Sequence, residues 1–475
     1  MNRSSLFRSP LTFTLSALLC VSTAGSAMLA TPDAAVAKSK KKSAIDFDLP
    51  VQTFQLENGL NVYVVEDHST PAFTFQLFYD VGSVDEVEGK TGLAHFFEHM
   101  MFMGSEKLGK FMIGEYTEKA GGRINAGTSY DYTVYYHEIP SNYLDMILWG
   151  ESDRLANLIM EQEPFDVQRA AVISEKDRSE NAPFSKAIQW EFLPDLMPES
   201  PYVHAVIGTQ EDLENMTLED ATDFFSRYYS PNNAHMVFVG DVDFEEVKTK
   251  VGEYFGGIAR GPDRQPTPNV KPAEERPRNK VEKVVEDEKA QQTIYLVGWR
   301  SVDEAHEDRP ALDLLANILF TGDSARVPKV LTDEKQLTAG AGGTHFVFRN
   351  DGALFMQMVP AGGATSDQLK AALREEIAKV RKKGIASKEL DKAIRMELME
   401  TVRTLSTNSG RASAVGMGAM FYGDPKRIIS DLKRYEAVTT KDIKRVANKY
   451  LDDNWVFYEL GPASSDGPTM MGPIR

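Results

Sequence analysis

Residues 91–104 read Thr-Gly-Leu-Ala-His-Phe-Phe-Glu-His-Met-Met-Phe-Met-Gly, and no other stretch so restricts how the chain can fold. Leu93 to Met103 has the composition of a buried helix, yet it carries His95, Glu98 and His99. In a helix, residues four apart lie about 40° apart around the axis, so both imidazoles project from one face with Glu98 beside them. Phe96, Phe97, Met100, Met101 and Phe102 fill the remaining positions, and the methionines there serve packing. Burying two imidazoles and a carboxyl in such surroundings is costly unless they are paired or metal-bound. The fold must bring a partner to them.

With eight histidines and 70 acidic residues among 475 positions, the spacing His-x-x-Glu-His is expected by chance about 0.02 times. A pair of neutral imidazoles suits zinc, and a carboxylate beside an open coordination position can take a proton from water. Catalytic zinc uses three protein ligands, so a distant acid is required. The best candidate is Glu175 in Val172-Ile173-Ser174-Glu175-Lys176, on a helical stretch from Asp166 onward. Spacing alone does not separate it from Glu151, Asp153, Glu161, Glu163 or Glu180. His68, His137, His204, His235, His306 and His345 lack ligand spacing and read as structural or solvent-facing.

Hydrophobic residues at 42%, charged residues at 26% and a mean hydropathy of -0.34 belong to a globular protein. The net charge of -17 excludes a nucleic-acid binder, which needs a concentrated basic face. Arg3 and Arg8, an apolar run from Leu11 to Val21 and the tripeptide Ala35-Val36-Ala37 predict a signal peptide over 1–37 and an exported, periplasmic protein. Thr12, Thr14 and Ser16 make the run too short and polar for a membrane span. Leu18 and Leu19 before Cys20 argue against lipidation. Loss of Cys20, the only cysteine, leaves His, Asp and Glu as the metal ligands. Lys38 and Lys40 to Lys42 belong to a flexible tail over 38–50.

The length allows two or three compact units. Pro262, Pro266, Pro268, Pro272 and Pro277 among charged residues mark 261–288 as a linker between 51–260 and 289–463, and the tail 464–475 reads as disordered. Thr217 to Asn232 aligns without gaps on Thr439 to Asn454, with Asp220 on Asp442, Arg227 on Lys449 and Tyr228 on Tyr450. Each copy opens with Thr-x-x-Asp and runs into an apolar strand, Ala234 to Val239 or Trp455 to Leu460, which predicts an internal duplication. Phe54 to Val65 predicts a hairpin about Asn58-Gly59, Phe73 to Val81 and Ser129 to Ile139 predict strands, and Tyr143 to Leu158 predicts a helix. The fold class is α+β.

Four runs carry a resemblance: 91–104, then Gly121-Gly122-Arg123-Ile124-Asn125-Ala126-Gly127-Thr128, Glu151-Ser152-Asp153-Arg154 and Val172-Ile173-Ser174-Glu175. Over roughly Gln52 to Leu460 the chain resembles the pitrilysin/insulinase-type zinc metallopeptidases, nearest to processing-peptidase-like bacterial members. The resemblance implies two homologous α/β-sandwich halves, each a mostly antiparallel sheet packed with helices. It implies one zinc ion held by His95, His99 and Glu175, Glu98 as general base, and a peptide substrate laid along a sheet edge at Asn125, Ala126 and Thr128.

Two positions depart from the family pattern. Gln168 stands where many members have Glu, and Ala339 stands where catalytic members have a carbonyl-binding Tyr, while Arg326 fits the accompanying Arg. The resemblance therefore implies a homologous partner subunit that supplies an Arg/Tyr pair, with a homodimer or a self-sufficient monomer as alternatives. The predicted activity is endopeptidase cleavage of peptides or unfolded polypeptides. A noncatalytic assembly subunit of the same fold and a zinc hydrolase of cell-wall peptides are the competing readings.

Overall fold

The computed structural model describes residues 48–265, 271–272 and 275–463. The expected leader, the basic tail up to residue 47 and the tail 464–475 lie outside these residues. The first sheet contains β1 (Gln52–Gln55), β2 (Asn61–Glu66), β3 (Ala72–Tyr79), β4 (Arg123–Thr128), β5 (Thr133–Pro140) and β6 (Ala234–Gly240), in the order β1-β2-β6-β3-β5-β4. Only β2 and β6 run parallel; the other pairs are antiparallel. The expected hairpin joins β1 to β2 through residues 56–60, where Gly59 takes a φ of 94°. Asn58 fixes this turn by donating to Phe255 O (2.8 Å) and Ile258 O (2.9 Å).

Helices α1 (Leu93–Met100), α2 (Leu144–Ala156), α3 (Gln162–Glu180) and α4 (Leu218–Tyr228) cover one face of this sheet. Phe96 and Phe97 of α1, Ile147 of α2, Val172 of α3 and Phe224 of α4 join Phe75, Leu77 and Tyr135 from the sheet in one core. The helix expected over Leu93 to Met103 ends at Met100, because the chain turns through Met103 into Gly104 at φ 113°. Ser129 to Tyr132, expected in a strand, forms the turn before β5.

The second sheet holds β7 (Val281–Asp287), β8 (Ile294–Arg300), β9 (Thr338–Val347), β10 (Gly352–Pro360) and β11 (Val456–Pro462), ordered β7-β11-β8-β10-β9. Strand β7 occupies the end of the Pro-rich stretch 261–288. The two halves exchange helices. The run 185–196, π-helical over Ile188–Phe192, packs Phe192 and Leu196 against Leu296, Phe355 and Tyr458. In return α5 (Asn408–Tyr422) packs Ala412 and Val415 against Phe78, Val237 and Val239 of the first sheet. Gly416 permits this approach, since a Cβ there would lie 2.3 Å from the Phe78 ring. Covered on both faces, β3 is buried from Phe73 to Tyr79 and loses the alternation of a half-exposed strand.

Without β1, the first sheet repeats the second strand for strand, with the parallel pair β2–β6 matching β7–β11. Each parallel pair receives its strand from a capped helix, α4 or α6 (Thr440–Tyr450). Thr217 and Thr439 accept from Asp220 N (3.2 Å) and Asp442 N (3.3 Å), which is the Thr-x-x-Asp signal in three dimensions.

An ionic cluster locks the halves together. Asp351 is fully buried, binds Arg300 and Arg276 at 2.6 Å each, and accepts from Ser200 Oγ of the first half at 2.6 Å. Phe348 stacks on Tyr202 at 4.5 Å, and Arg349 pairs with Asp80 at 2.6 Å. Removing one member of a buried pair leaves an uncompensated charge. Asp351→Ala is therefore expected to lower the unfolding free energy by about 3–5 kcal/mol, read as an earlier denaturant midpoint.

Candidate metal centre

The helix carrying the histidines is anchored at both ends. Glu86 accepts from Gly92 N and Ala94 N at 2.8 Å each, which satisfies orphan donors at the start of α1 and favours its dipole. Gly92 has a φ of 92°, and a Cβ there would meet Ile207 O at 2.6 Å. His204 Nε2 lies 3.2 Å from Glu86 and fixes that carboxylate. Beyond the last turn, Arg154 Nε donates to Met101 O at 2.8 Å.

Arg154 belongs to a buried network with Glu151 (2.5 Å), which also meets His137 Nε2 at 2.7 Å. Burial alone would raise the Glu151 carboxyl, but Arg154 and His137 outweigh it and hold the group below its ordinary range. Glu151 thus braces α1 and α2. Asp153 accepts from Ser105 Oγ (2.5 Å) and Lys107 N (2.8 Å), and Glu180 engages Lys176 and Trp190. Glu161 and Glu163 are exposed at the start of α3. The acids that spacing leaves open against Glu175 have these other settings.

Glu175, a part-buried residue of α3, reaches the histidines. His99 Nε2 lies 3.4 Å from Glu175 Oε2 and His95 Nε2 lies 3.9 Å from Glu175 Oε1. One ligand atom from each of the three lies within 4.8 Å of the other two, and no other such group of three occurs among the described residues. Two ligands of a tetrahedral zinc ion with bonds of about 2.05 Å stand about 3.3 Å apart, close to the His99–Glu175 separation. The rings of His95 and His99 are 4.8 Å apart at 71°.

The donor chemistry fits a metal. His95 is fully buried, and neither of its ring nitrogens has a hydrogen-bond partner. Burial pushes the imidazole down to about 3, so it stays neutral with a lone pair to offer. A buried ring with two unsatisfied nitrogens is expensive, and a divalent cation would relieve that cost. Gln168, two helical turns before Glu175, places Oε1 3.3 Å from His99 Nδ1. That contact assigns the proton to Nδ1 and turns Nε2 towards Glu175. Glu98 accepts from Thr128 Oγ1 at 2.8 Å, and burial pushes its carboxyl up to about 7 against the opposing effects of His99 and Thr128.

The remaining expected site residues divide. Asn125, Ala126 and Thr128 lie on β4, at the outer edge of the first sheet. Thr128 does more than line that edge, since its hydroxyl holds Glu98. Arg326 forms a two-pronged pair with Glu389 at 2.6 and 2.8 Å, and the contacts of its side chain do not include the histidine cluster. Ala339 is exposed near the start of β9, the edge strand corresponding to β4. The contacts of Gln168 and Thr128 with the site are not evident from sequence, although Gln168 stands seven before Glu175 and so shares its helix face.

The sequence model of the family described as "Insulinase (Peptidase family M16)" matches residues 61–209, and that described as "Peptidase M16 inactive domain" matches 215–397. Over 411 residues the chain is 28% identical to the zinc protease PqqE of Helicobacter pylori, covering 85% of this chain and 90% of the relative. It is 24% identical over 415 residues to an uncharacterized zinc protease of Streptomyces coelicolor, covering 87% and 90%. The crystal structure of a protease from Helicobacter pylori superposes with a TM-score of 0.79 at 25% identity, covering 88% of this chain and 100% of that one. The periplasmic protease PqqL from Escherichia coli shares the fold, with a TM-score of 0.71 at 20% identity over 88% of this chain and 48% of PqqL. With its histidine-bearing helix in the first matched region and a duplicated fold across both, the chain belongs to the insulinase, or pitrilysin, family of peptidases, M16.

Proposed function

We propose that the protein is an exported zinc-dependent endopeptidase acting on peptides or unfolded polypeptides. The observation that carries this reading is the buried, unpartnered His95 beside His99 and Glu175, with Glu98 held next to them by Thr128. His95, His99 and Glu175 would hold one zinc ion, which acidifies a bound water and polarises a carbonyl. Glu98 receives the water's proton at the carboxylate oxygen that Thr128 does not occupy, then delivers it to the leaving amine. The apolar residues of α1 limit bulk water around this carboxylate.

A substrate strand pairs with the outer edge of β4 at Asn125, Ala126 and Thr128, gaining affinity from main-chain hydrogen bonds rather than from sequence. The carbonyl-binding Arg/Tyr pair comes from a homologous partner subunit, because Arg326 is engaged by Glu389 and Ala339 offers only a methyl group. Among the described residues no helix is long and apolar enough to cross a membrane. A periplasmic location rests on the N-terminal leader pattern. The same Arg326 and Ala339 observations favour the second reading, a noncatalytic subunit that keeps the fold and the ligand cluster.

Comparing point variants separates the two. Glu98→Gln is expected to retain about one zinc per chain by metal analysis and to lose hydrolysis of an unfolded polypeptide by about 10²–10⁴-fold. Equal hydrolysis by wild type and Glu98→Gln would remove the general-base assignment. His95→Ala is expected to purify without zinc after reconstitution and dialysis; near-stoichiometric metal would contradict the ligand set. Thr128→Val should lower kcat by about 10-fold with zinc content unchanged, and Thr128→Ser should restore it.

A further inference from the structure

We propose that a basic face of the second half, built where the helices Ser366–Lys383, Ser387–Leu405 and α6 meet, docks the protein on an anionic phospholipid surface. Six cations form it: Arg381, Lys382, Lys383, Lys388, Lys441 and Lys444. Packing brings them together from separate parts of the chain. Asn448 of α6 donates to Arg381 O at 2.9 Å, and a Cβ on Gly384 would lie 3.9 Å from Lys444 Cβ. Lys441 lies one helical turn before Lys444, and Lys388 stands in the first turn of the helix that follows Gly384.

The fold itself does not answer these charges. Lys382, Lys383, Lys388, Lys441 and Lys444 are exposed, and none forms an ion pair among the described residues. The neighbouring carboxylates are engaged, Glu376 by Lys379, Glu389 by Arg326, and Asp442 by the Thr439 cap and Arg445. Arg381, Lys382 and Lys383, at the end of their helix, suit its dipole. Lys388 and Lys441 do the opposite, because each is the second residue of its helix, where a cation opposes the dipole. Lys441 and Lys444 are also like charges three apart on one helix face. Helix stability therefore does not account for the cluster, whereas an anion from outside would.

The distribution of charge points to the partner. In a chain of net charge -17, residues 51–260 hold 36 acidic and 14 basic residues, while 289–463 hold 23 and 26. An anionic surface repels the first half and turns the second towards it. The make-up of the face fits lipid better than protein. Protein interfaces centre on aromatic or Arg anchors and are depleted of lysine. Here five of the six cations are lysines, and the apolar residues among them, Ile385 and Ile443, pack into the second core. Headgroups present diffuse negative charge, to which long lysine side chains adapt without fixed geometry. The expected export of the chain brings it beside such a surface. None of this depends on the peptidase reading.

The test is cosedimentation of the chain, without its expected leader 1–37, with lipid vesicles. Binding is expected to vesicles holding about 30% phosphatidylglycerol and not to pure phosphatidylcholine, and should fall by at least about 10-fold in about 0.5 M NaCl. Lys383→Gln combined with Lys441→Gln and Lys444→Gln should weaken the partition by about 10-fold or more without lowering the denaturant midpoint. Lys110→Gln with Lys248→Gln, both exposed on the first half, should leave it within about 2-fold of wild type. Wild-type protein that ignores phosphatidylglycerol, or a triple variant that binds as wild type does, overturns the proposal. Capture by soluble polyglutamate with no preference for the vesicles would assign the face to an acidic polypeptide and overturn the lipid partner.

Discussion

Imidazole rings enclosed by phenylalanine and methionine are tolerated only where something outside the helix answers their nitrogens. The packing of the first half follows from this requirement. Helix α1 turns Phe96, Phe97 and Met100 into the core and presents its polar side to Glu175 of α3. Glu86 holds its first turn and Arg154 its last, so the rings stand at fixed positions. Both anchors are themselves tied, Glu86 to His204 and Arg154 to Glu151. The histidines away from the cluster thus include two that stabilise the geometry of the helix bearing it, since His137 meets Glu151.

The second half contributes support and a wall. The exchange of 185–196 for α5 buries the outer face of each sheet with a helix from the other half, and Asp351 ties the two with charge. Such an arrangement makes the halves one cooperative body. It also leaves β4 as a sheet edge between two different environments, with the Glu98 side beneath it and the α5 side above.

The local periodicities were legible in the sequence. His95, Glu98 and His99 share one helix, so a 3.6-residue repeat suffices to group them. The two Thr-x-x-Asp signals are likewise complete within a single helical turn, and both form reciprocal caps. Glu175 was different. Several acids met the same local description, and the family resemblance, rather than spacing, distinguished it. Their separation in space depends on neighbours far along the chain, such as His137 for Glu151 and Ser105 for Asp153. Thr128 illustrates the same limit from the other side, because its position on an edge strand suggested contact with a substrate while its hydroxyl meets Glu98.

By itself the amino-acid sequence determined the α+β duplicated fold, the family and the polar face of α1, because these depend on repeats, caps and residue types within short spans. Tertiary structure alone decided that Gln168 meets His99 and that Arg326 is taken up by Glu389, and it brought to the imidazoles the Glu175 carboxylate that local spacing left among several acids. It also decided that a helix from the second half lies over the first sheet. The physical reason is that these contacts join elements whose separation in the chain carries no information about their distance in space, which only the packing of the whole core sets.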